Sequence, residues 1–115
     1  MTIMIVDDNI LMRKFLTSYF ADAGIKIIEC QNGFEAYETY NLVNPDYVFM
    51  DIKMPVLDGI EATRKIVSAF PSAKIIMVTE YDDKHLREEA EKAGARDYVL
   101  KDNLSLLKLC LNHSV

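Results

Sequence analysis

The chain has 115 residues, half of them hydrophobic and about a quarter charged. That balance suits one soluble globular domain with a single core, not a disordered or fibrous chain. A net charge of -5 argues against direct nucleic-acid binding, which needs clustered Lys and Arg. No signal-peptide pattern opens the sequence, and no apolar stretch is long enough to span a bilayer. The two cysteines, Cys30 and Cys110, have no metal-ligand spacing. A reduced cytoplasmic setting is therefore expected.

Thr2 to Val6 is an unbroken apolar run ending in Asp7-Asp8-Asn9, the pattern of a strand buried on both faces. A helical stripe follows through Met12, Phe15, Leu16, Tyr19, Phe20 and Ala23, with Arg13, Lys14, Thr17 and Asp22 off it, and Gly24 is the expected stop. Lys26 to Cys30 is more mixed and reads as a partly exposed edge strand. Asn32 with Glu35 three positions on marks a second helix, carrying Phe34, Ala36, Tyr37, Tyr40 and Val43 until Pro45.

Tyr47-Val48-Phe49-Met50 then runs straight into Asp51, with Pro55 four residues later. Asp58 and Glu61 open a third helix through Ile60, Ile66, Val67 and Phe70, closed by Pro71. Lys74 to Val78 is a fourth apolar strand reaching Thr79. Asp82 or Asp83 can cap a fourth helix that Gly94 ends. Its apolar face is only Leu86, Ala90 and Ala93, so it should be loosely held. Tyr98-Val99-Leu100 is a short fifth strand before Lys101. The last segment has leucines at 104, 106, 107, 109 and 111, on more than one helical face. The alternation predicts one α/β domain over residues 1–115, a doubly wound parallel sheet with helices on both faces and right-handed crossovers.

Four of the five strands end in a polar residue suited to phosphate or metal chemistry: Asp7-Asp8, Asp51, Thr79 and Lys101. In a parallel sheet these ends share one rim, where ligands bind. The edge-like second strand contributes nothing, as expected if the strand order is 2-1-3-4-5. Three carboxylates on one rim repel each other unless a cation such as Mg2+ sits among them. A carboxylate nucleophile, a metal, an ammonium and a hydroxyl suit phosphoryl transfer to an aspartate. Each residue has a plainer reading. Asp7-Asp8 would serve as a helix cap, Thr79 as a turn former, Lys101 as a solvated lysine and Tyr98 as a strand aromatic.

These residues together, with Met54-Pro55 and Asp58-Gly59 after Asp51, resemble the receiver domain of two-component response regulators, the CheY-like domains. The resemblance covers essentially the whole chain and is closest to receivers that precede helix-turn-helix output domains. It implies a flavodoxin-like (βα)5 fold and a phosphorylation-controlled signalling switch that assists its own phosphorylation without being an enzyme for other substrates. By this resemblance Asp51 is the phosphoacceptor. Asp8, Asp51 and the backbone carbonyl of Lys53 ligate Mg2+, with Asp7 acting largely through water. Lys101 pairs with the acceptor and its phosphoryl group, Thr79 swings onto a phosphoryl oxygen, and Tyr98 is the switch aromatic. The implied donor is a histidine kinase or histidine phosphotransfer protein. The fourth helix, fifth strand and fifth helix form the implied output face, through which a homodimer or an output domain is contacted, with a transcriptional output expected.

Two positions depart from the family pattern. Glu80 stands where a small residue is usual, which bears on the rate of phosphorylation and the lifetime of the product. Asp102 follows Lys101 where proline is frequent, so no cis peptide is expected there. Lys53 and Tyr81, flanking the acceptor and the threonine, are expected to tune the phosphoryl lifetime through water access. The chain is expected to be either a stand-alone receiver or one cut from a longer regulator, and its leucine-rich last helix favours the second. Two other readings stay open: a degenerate receiver that only binds partners, and a Mg2+-dependent phosphohydrolase.

Overall fold

In the computed structural model, which describes residues 1–21 and 24–112, strands and helices alternate along the whole chain. They are β1 (Thr2–Val6), α1 (Ile10–Tyr19), β2 (Lys26–Cys30), α2 (Gly33–Val43), β3 (Tyr47–Met50), α3 (Gly59–Ala69), β4 (Ile75–Thr79), α4 (Lys84–Ala93), β5 (Asp97–Leu100) and α5 (Ser105–Asn112). All strands pair in parallel, in the order β2-β1-β3-β4-β5. This is the doubly wound parallel sheet that the alternation predicts, in the flavodoxin-like order that the resemblance implies.

The run of four buried residues in β3 and the five in β4 is explained by two cores, one on each face of the sheet. Met4, Val6, Val48, Met50, Ile75 and Met77 face one way, against Ala36 and Tyr40 of α2, Ile60 and Ile66 of α3, and Ala90 and Ala93 of α4. Ile3, Ile5, Tyr47, Phe49, Ile76, Val78 and Val99 face the other way, against Leu16 and Phe20 beside α1 and Leu107 of α5. The period of two along each strand sends alternate side chains to opposite cores. Burying one such side chain contributes roughly 2–3 kcal/mol.

The helix starts follow the sequence. Asn32, Asp58 and Asp83 each accept a hydrogen bond from the backbone N–H three residues on, so Asp83, not Asp82, caps α4. Gly94 closes α4 at φ 109°, a left-handed conformation that favours glycine. Asn44 does the same work for α2 at φ 50°, just before Pro45.

Several sequence expectations are corrected. The first helix ends at Tyr19 with Phe20 as its cap, short of Gly24, which instead lies in the turn into β2. Asp22 and Ala23, assigned to that helix, lie outside the described residues. Phe15, placed on the apolar stripe of the first helix, and Phe34, among the apolar residues of the second, are about half exposed. A ten-residue helix offers its sheet only the few positions nearest it, and Leu16 takes the deepest one in α1. β4 begins at Ile75, one residue after Lys74, and ends in Thr79 as expected.

The leucines of the last helix divide sharply. Leu107 is 0 % exposed and Leu109 is 52 % exposed. Leu107→Ala should cost about 2–4 kcal/mol and Leu109→Ala under about 1 kcal/mol, read by urea unfolding of the two variants.

Candidate functional site

The parallel register builds the site. Val6 lies opposite Met50 in β1 and β3, so the next residues, Asp7 and Asp51, emerge side by side at the carboxyl edge, about 4.8 Å apart in strand spacing. The ladder continues through them. The Asp51 N–H donates to the Val6 carbonyl at 2.9 Å and the Asp7 N–H to the Cys30 carbonyl at 3.1 Å. Thr79 pairs with Leu100, and the Lys101 N–H donates to the Thr79 carbonyl at 2.8 Å. One edge therefore carries Asp7, Asp51, Thr79 and Lys101. Asp7, Asp51 and Thr79 are buried, and Asp8 beside them is exposed.

Carboxylate oxygens of Asp7, Asp8 and Asp51 lie within 4.8 Å of one another. Lys101 Nζ sits between two of them, 3.0 Å from Asp7 Oδ2 and 3.5 Å from Asp51 Oδ1. The Ile52 N–H also donates to Asp51 Oδ1, at 2.9 Å. One ammonium serves two buried acids with a third alongside, so negative charge is left in excess. Burial, reinforced by the Asp7 carboxylate and opposed by Lys101, pushes the Asp51 carboxyl up to about 7. Burial works against the charge of Lys101, but the Asp51 and Asp7 carboxylates outweigh it and hold its ammonium above the ordinary lysine value. Three converging hard oxygen ligands and an acid held short of ionisation fit a hard divalent cation.

The helix-cap reading of the acidic pair does not survive. Asn9 is the cap of α1, its Oδ1 accepting from the N–H groups of Leu11 and Met12. The Asn9 N–H in turn donates to Asp7 Oδ1 at 2.9 Å. Asp7 is thus held toward the rim.

The other edge of the site leads away through one backbone residue. The Tyr81 N–H donates to Thr79 Oγ1 at 3.2 Å, and the Tyr81 carbonyl accepts from the Tyr98 hydroxyl at 2.7 Å. The Arg87 guanidinium of α4 lies over the Tyr98 ring, 4.3 Å from its centre. Tyr98 and Arg87 line an open groove of ≈ 370 Å³ between α4 and β5, with Ala90, Glu91 and Arg96. Lys53 Nζ stands 5.8 Å from the centre of the Tyr81 ring, so the two flanking residues meet across the mouth. Glu80 is exposed, pointing its charge into water.

The comparisons with known proteins agree with this geometry. The response regulator receiver domain family matches residues 3–110. The chain belongs to that family. As a receiver domain it is 38% identical over 100 residues to the chemotaxis protein CheY of Listeria monocytogenes, covering 86% of this chain and 84% of that one. It is similar in structure to a two-component response regulator of the LuxR family from Aurantimonas, with a TM-score of 0.91 and 31% identity over 97% of this chain and 82% of that one. It is similar also to the response regulator TrrA of Thermotoga maritima, solved in complex with Mg2+ and BeF, with a TM-score of 0.88 and 33% identity over 99% of this receiver and 98% of TrrA.

Sequence reasoning missed three structural supports of the receiver site. Gly59 lies so close to the strand end that a Cβ there would stand 1.8 Å from the Asp51 carbonyl oxygen. The Asp58-Gly59 pair was visible, but the contact that demands glycine was not. Val56 has φ 70° in a turn whose Leu57 N–H donates to the Pro55 carbonyl at 2.8 Å, a strained conformation for a β-branched residue. Arg13, placed off the buried stripe of α1, is nearly covered and reaches the Asp7 carbonyl.

Asp51 makes a pH prediction for the metal-free domain. Its folded value of about 7 lies above the ordinary 3.8, so its protonated form favours the fold. That contribution is complete below about pH 4 and is lost as pH rises through about 7. Urea unfolding in chelator should find Asp51→Asn more stable than the unaltered chain at pH 8, with the gap closing toward pH 4.

Proposed function

We propose that this receiver domain is a phosphorylation-controlled switch in which Asp51 accepts a phosphoryl group from a phosphohistidine of a kinase or phosphotransfer protein. The observation that carries this reading is the convergence of Asp7, Asp8 and Asp51, with one ammonium serving Asp7 and Asp51 and the Asp51 carboxyl short of full ionisation at neutral pH.

Asp8, Asp51 and the Lys53 carbonyl would hold Mg2+, with Asp7 acting through water. A cation held by these residues would offset the crowded carboxylate charge, favour ionised Asp51 and supply charge stabilisation to the phosphoryl oxygens. An Asp51 oxygen forms the new P–O bond as the donor's P–N bond breaks, the electron pair leaving with the imidazole. Asp51 Oδ1 is engaged by Lys101 and the Ile52 N–H, which leaves Oδ2 for attack or metal ligation. Lys101 then pairs with the incoming phosphoryl charge. Thr79 Oγ1 now accepts from the Tyr81 N–H, and its own proton is available to a phosphoryl oxygen. A shift of Thr79 acts on the Tyr81 backbone, which also anchors Tyr98. The groove and helix faces of α4, β5 and α5 would then carry the signal to an output partner or domain, with transcription as the output class because a similar structure is a LuxR-family regulator. Lys53 and Tyr81, meeting over the mouth, would set how readily water reaches the phosphoryl group. Exposed Glu80 would leave the acceptor approachable.

The test is incubation with acetyl phosphate, or with beryllofluoride, with and without Mg2+. Intact mass and backbone NMR signals of Tyr81 and Tyr98 are followed. A Mg2+-dependent adduct should form on the unaltered chain and be absent from Asp51→Asn. Lys101→Ala should slow its formation by at least about tenfold, the scale expected of one preorganised charge. A Mg2+-independent adduct, or one kept in Asp51→Asn, removes the proposal.

A further inference from the structure

Two neighbouring cations on α1 differ in their surroundings. The Lys14 side chain is 64 % exposed and that of Arg13 only 12 %. Arg13 bridges two elements. Its Nη1 donates to the Asp7 carbonyl at 2.7 Å, and its Nε donates to Glu29 Oε1 on β2 at 3.1 Å. Lys14 Nζ takes the other Glu29 oxygen at 3.0 Å. Burial works against the charge of Glu29, but Lys14 and Arg13 outweigh it and hold its carboxyl below the ordinary glutamate value. Glu29 is therefore a fixed anion that orients the Arg13 fork.

The Asp7 carbonyl belongs to the planar peptide that joins Asp7 to Asp8. Fixing that oxygen fixes the direction in which the Asp8 backbone leaves. Asp7 is meanwhile held at its carboxylate by the Asn9 N–H and Lys101. Asp8 has no such tie of its own among the described residues, so its placement depends on the peptide before it. We infer that Arg13, oriented by Glu29, is a positioning residue for the cation site, holding the Asp7–Asp8 peptide so that both carboxylates face a bound Mg2+. The edge strand β2, which adds no residue to the rim, thus supports it through Glu29. This inference rests on the reading of Asp8 and Asp51 as Mg2+ ligands.

The sign of the effect separates positioning from charge. Removing a cation near a Mg2+ site should tighten binding if only Coulomb repulsion acted. Loss of positioning should loosen it. Mg2+ titrations by calorimetry at pH 8, with unfolding curves in chelator to establish that each variant is folded, compare Arg13→Ala, Arg13→Met, Lys14→Ala and Asp8→Asn. Arg13→Met keeps the covered apolar stem and serves if the alanine variant does not fold. Both Arg13 variants should bind Mg2+ roughly tenfold more weakly, the scale of a lost outer-shell support. Lys14→Ala, which removes the same charge without touching Asp7, should stay within about twofold. Folded Arg13 variants that bind Mg2+ as well as or better than the unaltered chain overturn the inference, as does an equal loss in Lys14→Ala. An Asp8→Asn variant that binds normally overturns the cation-site reading itself, a different failure from Arg13 variants alone being silent.

Discussion

Two buried acids share one ammonium at the end of the sheet, and the rest of the structure follows from keeping them there. Asp7 and Asp51 are neighbours because β1 and β3 are central, parallel and in a register that sets Val6 against Met50. Lys101 reaches both from the end of β5, two places from β3 and three from β1 in the sheet. The acids repel, and burial deepens the penalty, so the arrangement is costly without a partner cation. Two hydrophobic cores hold the sheet flanked on both faces and fix the register against that repulsion. Stability is thus spent to hold two acids together at the rim.

The path outward is short. Thr79 and Tyr98 both end on Tyr81, one on its N–H and one on its carbonyl. The Tyr81 backbone thus joins the rim to the residue that lines the α4–β5 groove. The helix on that groove is suited to yield. The buried face of α4 amounts to Ala90 and Ala93, so it loses little packing if it shifts. Arg87 over the Tyr98 ring is one of the contacts that tie it to β5.

The sheet and the rim were legible in the sequence because both rest on local signals. Short unbroken apolar runs bounded by turn residues fit strands covered on both faces, and polar residues at their ends share an edge once the strands are parallel. Asn32, Asp58 and Asp83 announced their helices through side chains that act within one turn. What was illegible depends on contacts distant in sequence. Nothing about Arg13 reveals that Glu29 awaits it across a helix and a turn, or that Lys53 meets Tyr81. Phe15 and Phe34 are apolar at helical spacing, and only the crossing of each helix over the sheet decides that they stay half exposed. Val56 at positive φ contradicts its own propensity and is imposed by the tight turn after Pro55.

The central claim is that the Asp51 carboxyl is strained by burial and by Asp7 until a cation relieves it. Carbon-13 NMR of the labelled Asp51 carboxyl, titrated in chelator and again in saturating Mg2+, measures this directly. The midpoint should lie near 7 without metal and fall by at least about two pH units with it. A metal-free midpoint near the ordinary 3.8, or one that Mg2+ does not move, would contradict it.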